Sequence, residues 1–222
     1  DKNPESGGRY ITASPGLAPL GFAEVVVKGR AKPPANAIAV TESTLDNAFF
    51  RIELNDRGEL IGLYDKREGR EVLLPNTPGN RLHLFQDGPE REAAWNVHDS
   101  FELREYEFEG NTSVMADEGG PVRGSVLVIR RHRGTTIYQR ISVYESLPRI
   151  DFITEVHWNE RQVLLKAEFP VAVRSDVATY EIQCGVVQRP THRNTSWDKA
   201  KFEVPMHRWV DLSEHGYGVS LM

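Results

Sequence analysis

An all-β, antiparallel fold of two packed sheets is what this sequence predicts, on three observations. Its apolar segments are short, rich in β-branched and aromatic residues, and closed by Gly, Pro, Asn or Asp after about 5–9 residues, the spacing of antiparallel strands. There are more of them than one open twisted sheet holds, so two stacked sheets are expected. A chain of 222 residues with 39% hydrophobic and 27% charged content can bury such a core and lies outside the range of disordered composition.

The clearest element is a hairpin. Phe49–Leu54 and Glu59–Tyr64 alternate in polarity around the Gly-containing turn Asn55-Asp56-Arg57-Gly58. Asp65–Arg70 makes the next turn and Glu71–Leu74 continues the meander. Further strands are expected at Arg81–Gln86, Phe101–Glu109, Thr112–Asp117, Arg123–Arg131, Thr135–Tyr144, Arg149–Trp158, Leu164–Pro170, Ala178–Gln188, Ala200–Pro205, Arg208–Leu212 and Gly218–Leu221. In Ile150–Trp158, residues 150, 152, 154, 156 and 158 share an apolar face apart from Thr154, which sends His157 to the opposite, polar face. Residues 1–45 differ from the rest: a polar start, a turn-rich stretch, a peripheral strand at Phe22–Val27 and a Lys/Ala/Pro linker are expected ahead of a sandwich over 46–222.

A net charge of −5 gives no electrostatic footprint for nucleic acid. The dense basic run Arg130-Arg131-His132-Arg133 is expected to be a solvated hairpin end. The single cysteine, Cys184, excludes an internal disulfide and reads as a small core hydrophobe. No apolar stretch approaches the roughly 18–20 residues that span a bilayer, and Asp1–Gly8 has no signal-peptide pattern, so no membrane partner and a cytoplasmic location are expected.

Phosphate loops, dinucleotide fingerprints and nucleophile elbows do not occur in the sequence, and its seven histidines are scattered without zinc-binding spacing. Acidic pairs of the glycosidase kind cannot be measured from sequence. The tryptophans are more suggestive. Trp95, Trp158, Trp197 and Trp209 sit among polar neighbours, and an indole face beside amides and carboxylates suits a sugar cleft. Trp95 stands out, since Gly88–Ser100 has no strand period and reads as a long loop.

The C-terminal quarter adds a resemblance. Tyr180–His192, Asn194–Asp198, Phe202–Glu214 and Gly216–Leu221, with Leu63-Tyr64-Asp65-Lys66, Gly69–Leu73 and Gly79–Leu82 upstream, resemble in order the β-rich C-terminal half of glycoside hydrolase family 38 α-mannosidases. The resemblance covers roughly residues 15–222. It implies a β-supersandwich related to galactose-mutarotase-like domains, working beside an N-terminal catalytic domain of the same polypeptide that would supply the nucleophile and most ligands of a zinc ion, acting on mannose-containing glycans. It implies no catalytic residue and no cofactor in this chain. The loop Pro89–Val97 resembles a family loop expected to approach the sugar; Ala94, Trp95 and Asn96 match it, while Glu92 and Ala93 depart from it. Trp95 and Asn96 are therefore the carbohydrate-facing candidates. A free-standing carbohydrate-binding module is the alternative reading.

Overall fold

The structure, a computed structural model, describes residues 22, 38–89, 91–92 and 95–222. The expected strand at Phe22–Val27 lies outside the described residues apart from Phe22 itself. The fold is the antiparallel all-β architecture anticipated, with, among the described residues, one short helix, α1 (Ser196–Ala200), and one 3-10 turn at Phe101–Leu103. No helix among the described residues is long and apolar enough to cross a membrane. The chain separates into two compact units, Asp1–Arg70 with Gly110–Trp158, and Glu71–Glu109 with Asn159–Met222. Among the described residues, hydrogen bonding resolves four sheets rather than two continuous ones.

β1 (Ala39–Val40), β2 (Thr44–Asp46), β3 (Phe50–Leu54) and β4 (Leu60–Asp65) of the first unit form one sheet in sequence order, closed by β5 (Arg70–Glu71) where the first unit ends. A second meander comprises β8 (Thr112–Gly119), β9 (Arg123–His132), β10 (Thr135–Tyr144) and β11 (Ile150–His157). Alternation drives both. Leu45, Ile52, Leu54 and Leu60 from the first sheet, and Val126, Val128, Ile137 and Ile141 from the second, are almost fully buried. Two glycines permit the approach between layers. A Cβ on Gly124 would stand 2.6 Å from Ile38 Cγ2, and one on Gly58, whose φ is +69°, would stand 2.4 Å from Val128 Cγ1.

The basic run is a hairpin end, but it is not uniformly solvated. The period of two carries on through it, so Arg131 and Arg133 are exposed while Arg130 and His132 are only 5% and 2% exposed. The Arg130 guanidinium donates to the Arg57 and Gly58 carbonyls at 3.1 and 3.0 Å and to Gln139 Oε1 at 3.0 Å. Burial pulls its pKa down to about 10, so it remains charged at neutral pH. The register of β11 keeps the expected faces, with Val156 opposite Ile137 and Phe152 opposite Ile141, but the apolar face is only half-buried at Ile150 and Phe152 and is exposed at Val156 and Trp158; His157, on the other face, is exposed and lies 2.8 Å from Glu155 Oε1.

Asp65, at the end of β4, is buried and accepts from Arg67 Nη2 at 2.7 Å and from the Arg67 backbone N–H at 2.9 Å. Burial pushes its pKa upward, and the bonds and charge of Arg67 outweigh that push and hold it below the ordinary value of 3.8. A depressed carboxyl pKa contributes stability that is present above the unfolded value and lost as pH falls through the folded one. Asp65→Asn is therefore expected to destabilise by about 1 kcal/mol at pH 7, with the gap to wild type closing below pH about 4 in urea unfolding series. A gap that stays constant down to pH about 2 would exclude this linkage.

In the second unit, β12 (Val163–Glu168), β6 (Arg81–Gln86) and β7 (Glu105–Tyr106) form one sheet, because β12 returns to β6 instead of extending the β8–β11 meander. The other sheet has the order β14-β13-β15-β16, from β13 (Val177–Ile182), β14 (Gly185–Pro190), β15 (Val210–Glu214) and β16 (Tyr217–Leu221). Four expectations change here. The single strand expected over Ala178–Gln188 is a hairpin, in which Ile182 opposes Gly185 around a Gln183-Cys184 loop. Cys184 is accordingly exposed, with φ +56°, and is not a core residue. The strand expected at Ala200–Pro205 does not form: α1, started by a reciprocal capping box of Thr195 and Asp198, ends at Ala200, and residues 201–205 are irregular. The start of the Phe101–Glu109 strand is instead a 3-10 turn, whose N–H groups close locally onto the His98, Ser100 and Phe101 carbonyls.

Candidate carbohydrate-facing loop

The segment between β6 and the 3-10 turn is irregular throughout its described residues, and its base is fastened on both sides. The Gln86 N–H donates to the Arg104 carbonyl at 2.9 Å, and the Asp87 N–H to the Gln162 carbonyl at 2.8 Å. Beyond the loop, Phe101 is 2% exposed and meets the Phe85 ring edge-on at 5.0 Å, with Phe202 at 6.3 Å. Sequence order thus runs from a buried strand, through a tethered loop, into a buried aromatic anchor.

Within the loop, the Trp95 and Asn96 N–H groups both donate to the Glu92 carbonyl, at 2.8 and 3.0 Å, making one tight turn. That turn leaves the Trp95 side chain 87% exposed. Downstream, His98 Nδ1 collects the Ser100 N–H at 3.1 Å, Ser100 Oγ at 2.7 Å and Arg104 Nη2 at 3.0 Å, with Asp99 Oδ1 at 3.3 Å. His98 is a bracing group whose Nδ1 is already engaged.

A hollow of about 460 Å³ lies against this loop, lined by Arg91, Glu92, Asn96, Val97, His98, Asp99 and Phe202. Charged and amide groups on its rim, with a valine and a phenylalanine between them, combine hydrogen-bonding capacity with flat apolar surface, the mixture that suits a hydroxyl-rich ring. Asn96 lines the hollow; Trp95 does not. Phe202 belonged to the expected strand at Ala200–Pro205, and the capping box Thr195-x-x-Asp198 was the signal that could have placed it after a helix.

Under the anchor, Lys166 pairs with Glu203 and lies 4.4 Å from the Phe101 ring centroid, and Arg193 clamps Glu102 through two bonds of 2.9 and 3.2 Å. These charges are committed to one another. The Arg193 bonds hold the Glu102 carboxyl below its usual range. The other described carboxyls with a resolved shift also move down: at Asp117, as at Asp65, burial pushes upward most strongly and the hydrogen bonds and arginine charges together outweigh it, while bonds from Arg208 and Thr195 lower Glu181 and Asp198. A glycoside general acid needs the opposite direction. Nor do the described residues bring three His, Cys, Asp or Glu side chains together as a metal would require, so no step of metal chemistry can be derived from them.

The family described as glycosyl hydrolases family 38 C-terminal domain matches residues 45–222. The chain belongs to that family. It is 39% identical over 229 residues to human alpha-mannosidase 2C1, a match covering 99% of this chain and 22% of the relative. The mouse alpha-mannosidase 2C1 is 42% identical over 182 residues, covering 81% and 17%. Alpha-mannosidase G of Dictyostelium discoideum is 37% identical over 201 residues, covering 85% and 18%. The chain therefore spans about a fifth of the length of these relatives. Among solved structures, an alpha-mannosidase from Enterococcus faecalis superposes with a TM-score of 0.59 at 13% identity, over 87% of this chain and 24% of that one; this likeness concerns the fold.

Proposed function

We propose that this family 38 domain serves a retaining α-mannosidase as structural support and as one wall of its carbohydrate cleft, while polypeptide outside these 222 residues carries the hydrolytic groups and the zinc ion. The observation that supports this most is the family match across residues 45–222 with relatives roughly five times longer. The hollow beside Asn96, with exposed Trp95 next to it, is the part of this chain that would face mannose-containing glycans. A cytoplasmic location, the default expectation from the sequence, belongs to the same proposal, and a chain with one cysteine carries no disulfide framework that would argue against it.

Two measurements test it. The purified 222-residue piece is expected to release no aryl product from an aryl α-mannoside, and turnover with contaminating enzyme excluded would overturn the assignment. In the full-length enzyme, loss of one stacking face of about 0.5–1.5 kcal/mol sets the scale for Trp95→Ala, a rise of about 3–10-fold in KM with kcat changed less. An unchanged KM would remove Trp95 from the cleft and leave the structural role standing.

A further inference from the structure

The connection from β14 to β15, residues 191–209, joins no sheet ladder, and α1 is its one regular element. Connections beyond about 12–15 residues that build little structure of their own are usually functional. Its two ends are fastened by backbone groups. The Thr191 N–H donates to the Asp176 carbonyl at 3.0 Å and Thr191 Oγ1 to the Ser175 carbonyl at 2.5 Å, while the His207 N–H donates to the Glu181 carbonyl at 3.1 Å.

The middle of the connection returns to the 3-10 turn at Phe101–Leu103 from both sides of α1. Arg193, just before the Thr195 N-cap, forks onto Glu102 through an Nη1–Oε2 bond of 3.2 Å and an Nη2–Oε1 bond of 2.9 Å. Phe202, just past the end of α1, sets its ring 6.3 Å from that of Phe101, the neighbour of Glu102. A closed circuit results: from Glu102 to Arg193, along about 7 Å of helix to Phe202, and back through Phe101.

Burial alone does not fix Phe202 in that circuit. The ring is only half-buried, and it meets Phe101 at a tilt of 41° instead of stacking flat or edge-on. Lys166 pairs with the next residue, Glu203, and its charge also reaches Glu102. A bidentate guanidinium–carboxylate fork adds what a single ammonium lacks, a fixed direction as well as attraction. Most exposed ion pairs contribute little to overall stability, but a small coupling suffices to bias a half-buried ring between positions.

We propose that Arg193 is a positioning residue for the hollow beside Asn96: its fork onto Glu102 sets where Phe202 stands, and so places the apolar wall that a sugar ring meets. Arg193 is not part of the lining itself, whereas Phe202 and Asn96 are. This inference rests on the reading of the hollow as part of the carbohydrate cleft, and adds to it a residue that acts through another.

The test is KM for an α-linked mannotriose, measured on the full-length enzyme. Arg193→Met and Glu102→Gln are each expected to raise KM about 2–5-fold, the scale of an exposed ion pair, with kcat changed less. The double variant should be no worse than either single one, because both remove the same interaction. Exchanging the charges, Glu102→Arg with Arg193→Glu, should return KM to within about 2-fold of wild type. Added salt should raise KM in wild type and much less in Arg193→Met, since screening weakens the fork. Unchanged KM in both single variants, additive effects in the double variant, or no rescue by the exchanged pair would each overturn the proposal. Asn96→Ala separates that failure from failure of the cleft reading. A raised KM in Asn96→Ala beside unaltered Arg193 variants removes the fork alone, and an unaltered KM in all of them removes the hollow from the cleft as well.

Discussion

Arg130→Met is expected to lower the unfolding free energy by about 3 kcal/mol, since each polar group it strands in the interior costs about 1–3 kcal/mol. Three acceptors each lose one hydrogen bond at once: the Arg57 carbonyl, the Gly58 carbonyl and Gln139 Oε1. Methionine replaces the apolar stem, so the loss reports the guanidinium and not the packing. Arg130→Lys should recover only part of the stability, because a single ammonium cannot present the planar fork that reaches the two turn carbonyls and the amide together. Urea unfolding of both variants, with the slope m unchanged, is the measurement. A methionine variant within about 0.5 kcal/mol of wild type would show that water or a rearranged β3–β4 turn satisfies those carbonyls as well as the arginine does.

The same residue shows how far the sequence was legible. Periodicity gave the β9–β10 hairpin almost to the residue, Arg123–His132 against Thr135–Tyr144, because a period of two is set by burial of alternate side chains. The charges at its end misled, because side-chain type was weighed above position in the alternation, and a long-range partner, the Asn55–Gly58 turn 72 residues away from Arg130 at Gly58, is invisible in local pattern. At Ala178–Gln188 the apolar run continued while its phase did not. Tyr180 faces Val187 across the hairpin, an even position against an odd one, and that change of phase with Gly185 was the overlooked turn signal. The Trp95 and Asn96 loop was recognisable as a loop because it lacked any period. Its hollow was not, since Phe202 and Arg91 come together only through the fold.

Phe101→Ala is the other large effect expected, about 3–5 kcal/mol for truncating a buried phenylalanine to alanine. The ring, 2% exposed, holds Phe85 edge-on at 5.0 Å, Phe202 at 6.3 Å and the Lys166 ammonium at 4.4 Å. Phe101→Leu separates these contributions: it restores most of the volume and so most of the stability, but forfeits the contact with Lys166, worth about 0.5–2 kcal/mol. The consequence reaches the loop, because Phe202 lines the hollow and the Phe101 N–H is bonded to the His98 carbonyl at 3.0 Å. Amide exchange across residues 95–100 should therefore quicken in Phe101→Ala and stay near wild type in Phe101→Leu. If exchange quickens equally in both, the cation–aromatic contact, and not the filled volume, is what holds the loop. If it quickens in neither, the backbone bonds at Gln86 and Asp87 suffice to fix Asn96 where it stands.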